Sequence, residues 1–356
     1  MRRHISDARR SRSAGDTTIR SVIRNLAKLA IHHGGISSLA RTVLAGRAAI
    51  LRYHSVSTAA DGTHLCLDPG LAVAPEHFDR QCAYLKRHYR VISLDEMVTR
   101  LIEGEPLPAK AVALTFDDGY LDNYTRAFPI LARHGLNATF YVTTNCIDNL
   151  AVLWTGLLRF VIFTTTVPVL ETREPMAFRL PLRTPEERRE AFTKLIVTMK
   201  NVPTATRLEL LEAVRVAGGI DDLSPLSRIM MSWDHVREMH RAGMIFGAHT
   251  LSHPNLPNAT PDEARREIEG SRDALAEQIN EPVRHFSYPN GRGSAHLTEA
   301  VKSMVRDAHF DSATTSLTGS VQAGDDAFAL KRIGIYSRHG ALPEFTLDIE
   351  RGKIGA

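Results

Sequence analysis

From residue 48 onward the sequence repeats one rhythm: a short apolar run, then a longer stretch with helical spacing. That alternation confines the chain to the α/β class with parallel strands, because each parallel crossover needs a connecting helix. The strand-like runs are 48–53, 111–116, 138–142, 244–248, 285–288, 311–315 and 328–335. The helices between them carry readable starts. Ser93-Leu-Asp-Glu96 and Thr260-Pro-Asp-Glu263 fit the capping box, the second with Pro at the first helical position, and Ser232 is placed to cap residues 233–241. Seven strands in one series, with no GxGxxG after the first, suit a distorted or incompletely closed (β/α) barrel better than an open doubly wound sheet.

Two regions fall outside the rhythm. Residues 1–18 are rich in Arg and Ser and read as disordered, whereas 19–44 space Ile19, Val22, Ile23, Leu26, Leu29, Ala30 and Ile31 as an amphipathic helix with Arg20, Arg24 and Lys28 on its polar side. Seven Arg against Asp7 and Asp16 give the first 25 residues a local +5, while the whole chain carries +4. The remainder is therefore about −1, and a nucleic-acid surface spread over the body is not indicated. A basic amphipathic lead-in instead suggests peripheral membrane contact through residues 1–44. The second irregular region, residues 148–228, reads as an insertion over one face, with charged helical patterns near 185–200 and 203–216. Within it, 150–170 is apolar, but Arg159 in mid-run costs a membrane span roughly 2.5–3.5 kcal/mol, so a buried helix followed by a strand is expected. The expected organisation is a tail and helix at 1–47, a barrel over 48–340 carrying the insertion, and a C-terminal tail at 341–356.

Cys66, Cys82 and Cys146 show no CxxC spacing and leave an odd count, which fits neither a disulfide framework nor a cysteine metal site. With no signal peptide apparent behind Arg2 and Arg3, the expected location is cytoplasmic, at the inner membrane face if the lead-in binds lipid.

The chemistry is concentrated at strand ends. Ala111-Val-Ala-Leu-Thr-Phe-Asp-Asp-Gly-Tyr120 is an apolar strand that stops at two adjacent carboxylates, which need a cation or an arginine to stay ionised side by side. Met244-Ile-Phe-Gly-Ala-His-Thr-Leu-Ser-His-Pro254 places His249 and His253 four apart. Two such imidazoles with a carboxylate from another strand make a two-His, one-carboxylate site with open positions. Arg284-His-Phe-Ser-Tyr-Pro-Asn-Gly291 ends in a turn whose outward N–H groups suit an oxyanion, although an ordinary β-turn reads equally well.

Together these stretches resemble the polysaccharide deacetylases of carbohydrate esterase family four, the NodB-homology group. Thr115-Phe-Asp-Asp-Gly119 is similar to the first motif, His249-Thr-Leu-Ser-His253 to the second, and Phe286-Ser-Tyr-Pro-Asn-Gly291 to the third in the branch with Tyr-Pro-x-Gly; Leu51-Arg-Tyr-His-Ser-Val56 resembles that branch's opening strand. The resemblance implies a distorted seven-stranded (β/α) barrel in which Asp118, His249 and His253 bind a divalent metal, usually zinc with cobalt, nickel or manganese as alternatives, and Asp117 is the general base. The turn at Tyr288, Pro289 and Asn290 is expected to supply substrate and oxyanion contacts, with the Asn290 backbone N–H as the candidate donor. Tyr120 is added as an aromatic face for a pyranose ring.

Two features of the family pattern are missing in their usual form: the arginine that opens the third motif and the late Leu-x-His that supplies a general acid. Arg332 is expected to take the arginine's place beside Asp117, with Arg284 as rival; His54 and His339 compete for the acid. The implied reaction is hydrolytic removal of N-acetyl groups from N-acetylglucosamine-type oligo- or polysaccharides. Alternatives are an O-acetyl esterase or cyclic amidase on the same barrel, or a glycan-binding protein without turnover.

Overall fold

The computed structural model describes residues 46–58, 65–149, 151–293 and 296–354. The basic tail, the helix expected over residues 19–44 and the membrane contact assigned to residues 1–44 lie outside them. The strands are β1 (Ala49–Tyr53), β2 (Ala111–Phe116), β3 (Thr139–Val142), β4 (Ile245–Ala248), β5 (His285–Ser287), β6 (Ser312–Thr314) and β7 (Ile333–Gly334). They pair in the order β6-β5-β4-β3-β2-β1-β7, parallel throughout. A further short strand, Arg90–Val91, pairs with the start of β2.

The last expected strand, 328–335, departs most from its reading. Leu330 forms a parallel bridge to Thr314, whereas Ile333 and Gly334 pair with Leu51 and Arg52. A segment that joins both edges of the sheet changes neighbours halfway and cannot run as one ladder, and in doing so it curls seven strands into a distorted barrel.

Alternation along the strands divides their residues between two faces. Tyr53, Phe116, Phe140 and Phe246 lie side by side in register, with centroids 5.1, 4.8 and 5.8 Å apart along the row. This row packs outward against helices: α1 (Pro75–His88) supplies Phe78, Cys82 and Leu85, and α2 (Phe128–His134) supplies Ile130 and Leu131. The alternate residues, among them Arg52, Thr115, Tyr141 and Ser287, point the other way and are buried. Gly247 is needed on that face. A Cβ there would come within 2.6 Å of the Tyr141 ring and 2.8 Å of the His285 carbonyl oxygen.

The apolar run at 150–170 resolves into α3 (Trp154–Thr164) followed by a strand, Val169–Thr172, which forms an antiparallel hairpin with Phe178–Pro181. With α4 (Pro185–Lys200) and α5 (Thr204–Ala217) these elements enclose a separate core around Leu158, Leu170, Leu195, Leu210 and Val214. No described helix is long and apolar enough to cross a membrane. After β4 the chain continues into α6 (Pro261–Ile279), whose Thr260 and Glu263 close the expected capping box. At Ser93 the cap is present as Ser93 Oγ accepting from the Glu96 N–H. Residues 341–356, set apart above as a tail, contain instead a helix, α7 (Leu342–Ile354), because Phe345 and Ile349 on one side of it complete the core beneath β1.

Candidate active site

The site forms where β2, β4 and β5 end. The chain leaves β2 through two left-handed residues, Asp118 (φ 82°) and Gly119 (φ 90°), and so parts two carboxylates that an extended strand would have alternated. Thr250 (φ 67°), His253 (φ 58°) and Asn290 (φ 63°) share this conformation. Strained non-glycine backbone gathered at one end of a barrel marks a place that the surrounding structure holds by force, at about 1–3 kcal/mol each.

His249 continues the β4 ladder, its N–H donating to the Val142 carbonyl at 3.0 Å. Its Nδ1 donates to the Ser287 carbonyl at 2.7 Å, which turns the lone pair of Nε2 towards Asp118. The His253 N–H donates to Thr250 Oγ1 at 2.9 Å, and its carbonyl accepts from Trp154 Nε1 of the insertion at 2.8 Å. Asp118 Oδ1 then lies 3.5 Å from His249 Nε2 and 3.6 Å from His253 Nε2, with all three atoms within 4.8 Å of one another. Those separations are long for hydrogen bonds, but they match the edge of a tetrahedron with bonds near 2.0–2.1 Å, about 3.3 Å. The three residues therefore fit a small divalent cation. Burial raises the Asp118 carboxyl, yet the neighbouring imidazoles of His249 and His253 outweigh it and bring it down to about 2.

Asp117 points elsewhere. Arg332 grips it with two parallel bonds, Nη1 to Oδ1 at 2.7 Å and Nη2 to Oδ2 at 2.8 Å, and both side chains are buried. The same guanidinium donates to Thr115 Oγ1 at 3.2 Å, the Thr315 carbonyl at 2.8 Å and Ser287 Oγ at 3.0 Å, above the Tyr141 ring at 5.6 Å. Burial alone would raise the Asp117 carboxyl, but Arg332 and then His249 hold it well below the usual carboxylate range. It is a fixed, ionised carboxylate.

The structure separates the rival assignments. Arg332, not Arg284, meets Asp117; Arg284 reaches Asp95 and Asp311 instead. His54 lines the cavity above the site, whereas His339 is buried against Asp348 Oδ2 at 2.8 Å and lines none of it. Burial pushes His54 down to about 4 against the opposing charge of Asp118, and its Nδ1 has no hydrogen-bond partner. The cavity holds about 430 Å³ and is also lined by Tyr120, Tyr288 and Asn290. The Tyr288 hydroxyl is spent on the Phe328 carbonyl at 3.0 Å, and its N–H on the Thr314 carbonyl at 3.1 Å, so its polar groups are not free to serve the cavity that it lines. Pro289 does not line the cavity: its carbonyl accepts from the Gly291 N–H at 2.8 Å and shapes the turn. Among the described residues nothing accepts from the Asn290 N–H, and its Nδ2 is buried without a partner.

Four contributors escaped the sequence. Ser287 joins both halves of the site, its carbonyl to His249 and its hydroxyl to Arg332. Trp154 and Lys200 arrive from the insertion, and His296, read as a surface residue, lines the cavity. Only Ser287 left a trace, as the one polar residue inside the run Phe286-Ser-Tyr288.

Comparison with known proteins agrees with this geometry. YxkH of Bacillus subtilis (strain 168) is 32% identical over 94 residues, 26% of this chain and 30% of that protein. The poly-beta-1,6-N-acetyl-D-glucosamine N-deacetylase of Escherichia coli (strain K12) is 44% identical over 62 residues, 17% of this chain and 9% of that protein. The alignments thus span less than a third of either curated relative. The Streptococcus pyogenes deacetylase PplD, solved with acetate, superposes with a TM-score of 0.55 over 86% of this chain and 98% of its own at 22% identity, a likeness of fold. The polysaccharide deacetylase profile matches residues 104–181 and 197–308, a span that contains Asp117, Asp118, His249, His253 and Asn290. The chain belongs to the polysaccharide deacetylase family.

Proposed function

We propose that this protein is a metal-dependent hydrolase that removes the acetyl group from N-acetylglucosamine units of an oligo- or polysaccharide. The observation that carries the reading is the division of labour at the end of β2: Asp118 joins His249 and His253, while Asp117, one residue earlier, is kept ionised by Arg332. A binding module has no use for a base beside a cation site. The name of the Escherichia coli relative supports the choice of sugar.

Asp118, His249 and His253 would hold the cation, with zinc as the first choice for two imidazoles and a carboxylate and cobalt, nickel or manganese as substitutes. When bound, it supplies Lewis acidity that polarises the acetyl carbonyl and lowers the pKa of water. Asp117 accepts the proton of the attacking water; the fork from Arg332 holds the carboxylate in the orientation that receives it. The Asn290 N–H donates to the oxygen on which negative charge develops. The departing nitrogen needs a proton, and His54, which lines the cavity and is not among the cation's would-be ligands, is assigned to deliver it. Burial keeps that ring uncharged at neutral pH, so it acts as acid only after a proton has been passed to it inside the site.

The test is acetate release from β-1,6-linked N-acetylglucosamine oligomers, with an O-acetylated sugar alongside, by protein loaded with Zn²⁺. Asp117→Asn is expected to lower kcat by about 10²–10⁴-fold while the cation stays bound. His249→Ala and chelation each abolish release. Acetate release that survives Asp117→Asn would sink the assignment, and preference for the ester would move the activity to O-acetyl groups.

A further inference from the structure

One wall of the cavity belongs to the insertion. Helix α4 ends at Lys200, whose carbonyl accepts from Asn255 Nδ2 at 2.9 Å and Asn258 Nδ2 at 2.7 Å, both just beyond His253. This double clamp fixes the helix end against the ligand loop and sets the Lys200 side chain in the lining of the cavity. Arg292 enters the same lining from the turn that follows Asn290.

Neither cation has a carboxylate within ion-pair distance among the described residues. The acids that line the cavity are engaged elsewhere: Asp117 by Arg332, Asp118 by His249 and His253, while Asp68 Oδ1 accepts from the Gly70 N–H and its charge acts on Arg159. Burial pushes the Lys200 ammonium down, Asp118 opposes this and Arg292 adds to it. A divalent cation at Asp118 would reverse the sign of the one charge that favours the ammonium. Two cations that line one cavity without an ion pair among the described residues are an arrangement that an anion completes. A neutral glycan offers them hydroxyl and carbonyl acceptors but no compensating charge, and its deacetylated, cationic product would be repelled.

We propose that Lys200 and Arg292 form an anion subsite, so that the substrate carries a phosphate or carboxylate on the reacting N-acetylated sugar or its immediate neighbour. This rests on the deacetylase reading and names its substrate class: an acidic glycan rather than a neutral one. Lys200 supplies a rotatable point charge, and Arg292 a planar fork at the mouth.

The experiment measures calorimetric affinity of the full, Zn²⁺-loaded chain for N-acetylglucosamine, N-acetylglucosamine 1-phosphate and N-acetylgalactosaminuronic acid at low and high salt, with acetate release followed in parallel. At least one acidic sugar is expected to bind about ten-fold more tightly than the neutral one, with the gain shrinking at high salt. Whichever anion gains identifies the group. Lys200→Gln should remove most of the gain and Lys200→Arg retain it, which separates a charge effect from loss of folding. Equal affinity for all three sugars, or a gain that survives both Lys200→Gln and Arg292→Gln, overturns the subsite; the latter would place the anion on the cation itself. Lys200-dependent binding of an acidic sugar with no acetate from any sugar supports the subsite and counts against deacetylation. Acetate from neutral oligomers without an acidic gain does the reverse.

Discussion

Arg332 is a fully buried cation whose five N–H groups meet acceptors on β2, at Asp117 just beyond it, on β5 and on the segment after β6. Removing one partner of such a pair leaves the other charge stranded, at about 3–5 kcal/mol. Arg332→Met is therefore expected to lower the unfolding free energy by about that amount in a urea titration, and adding Asp117→Asn should recover most of it. An unchanged midpoint for the single variant would show that Asp117 does not depend on the arginine. At this scale the sequence was most legible where chemistry demands one kind of side chain: Asp118, His249 and His253 stand out as carboxylate and imidazoles at the ends of apolar runs. It was least legible where two residues of one type compete. Position along the strands put Arg332 ahead of Arg284 but left His54 and His339 in competition, because spacing says little about which way a side chain leaves the backbone. The outcome is set by neighbours: Asp95 and Asp311 draw Arg284 away, and Asp348 draws His339.

Helix α7 shows how an element missed in sequence is held in place. The Tyr53 hydroxyl donates to Gln81 Oε1 at 3.0 Å, Gln81 Nε2 donates to the His339 carbonyl at 2.8 Å, and His339 Nε2 donates to Asp348 Oδ2 on α7. The hydrogen bond from His339, helped by Arg338 and opposed by burial, brings the Asp348 carboxyl down from its ordinary 3.8 to about 2. A carboxyl depressed by folding contributes stability above its ordinary pKa and loses it as pH falls through the folded value. Between about pH 5 and about pH 2 the native protein should therefore lose roughly 1 kcal/mol more unfolding free energy than Asp348→Asn, a figure reduced for the group's partial exposure. Equal losses in parallel denaturant titrations would show that this pair does not anchor the helix. A weak apolar pattern, in which Phe345 and Ile349 enter the central core and Leu342 packs at its edge, is why residues 341–356 read as a tail. Run 328–335 read as one strand for the opposite reason: its apolar residues satisfy two different neighbours, a division that periodicity cannot express.

For the whole molecule, a cation at Asp118, His249 and His253 would tie the ends of β2 and β4 together in the native state alone. Free Zn²⁺ at a hundred times its dissociation constant should then add about 2.7 kcal/mol to stability, read as a rise in Tm that a chelator reverses and His249→Ala abolishes. A Tm indifferent to the ion in the native chain would show that these residues do not hold one. The succession of strands along the chain could be read from the sequence, because it follows from local periodicity. What the insertion does could not, since its partners lie across the molecule. The asparagine clamp on the Lys200 carbonyl ties the two together, with consequences for descent and engineering alike. The insertion's long helix is anchored to the loop that presents His253, so a foreign insertion grafted onto this barrel without matching Asn255 and Asn258 would disturb the ligand loop as well as the cavity wall. On the proposed reading, choice of glycan and affinity for an ion would be inherited as one trait, and selection acting on either would move both.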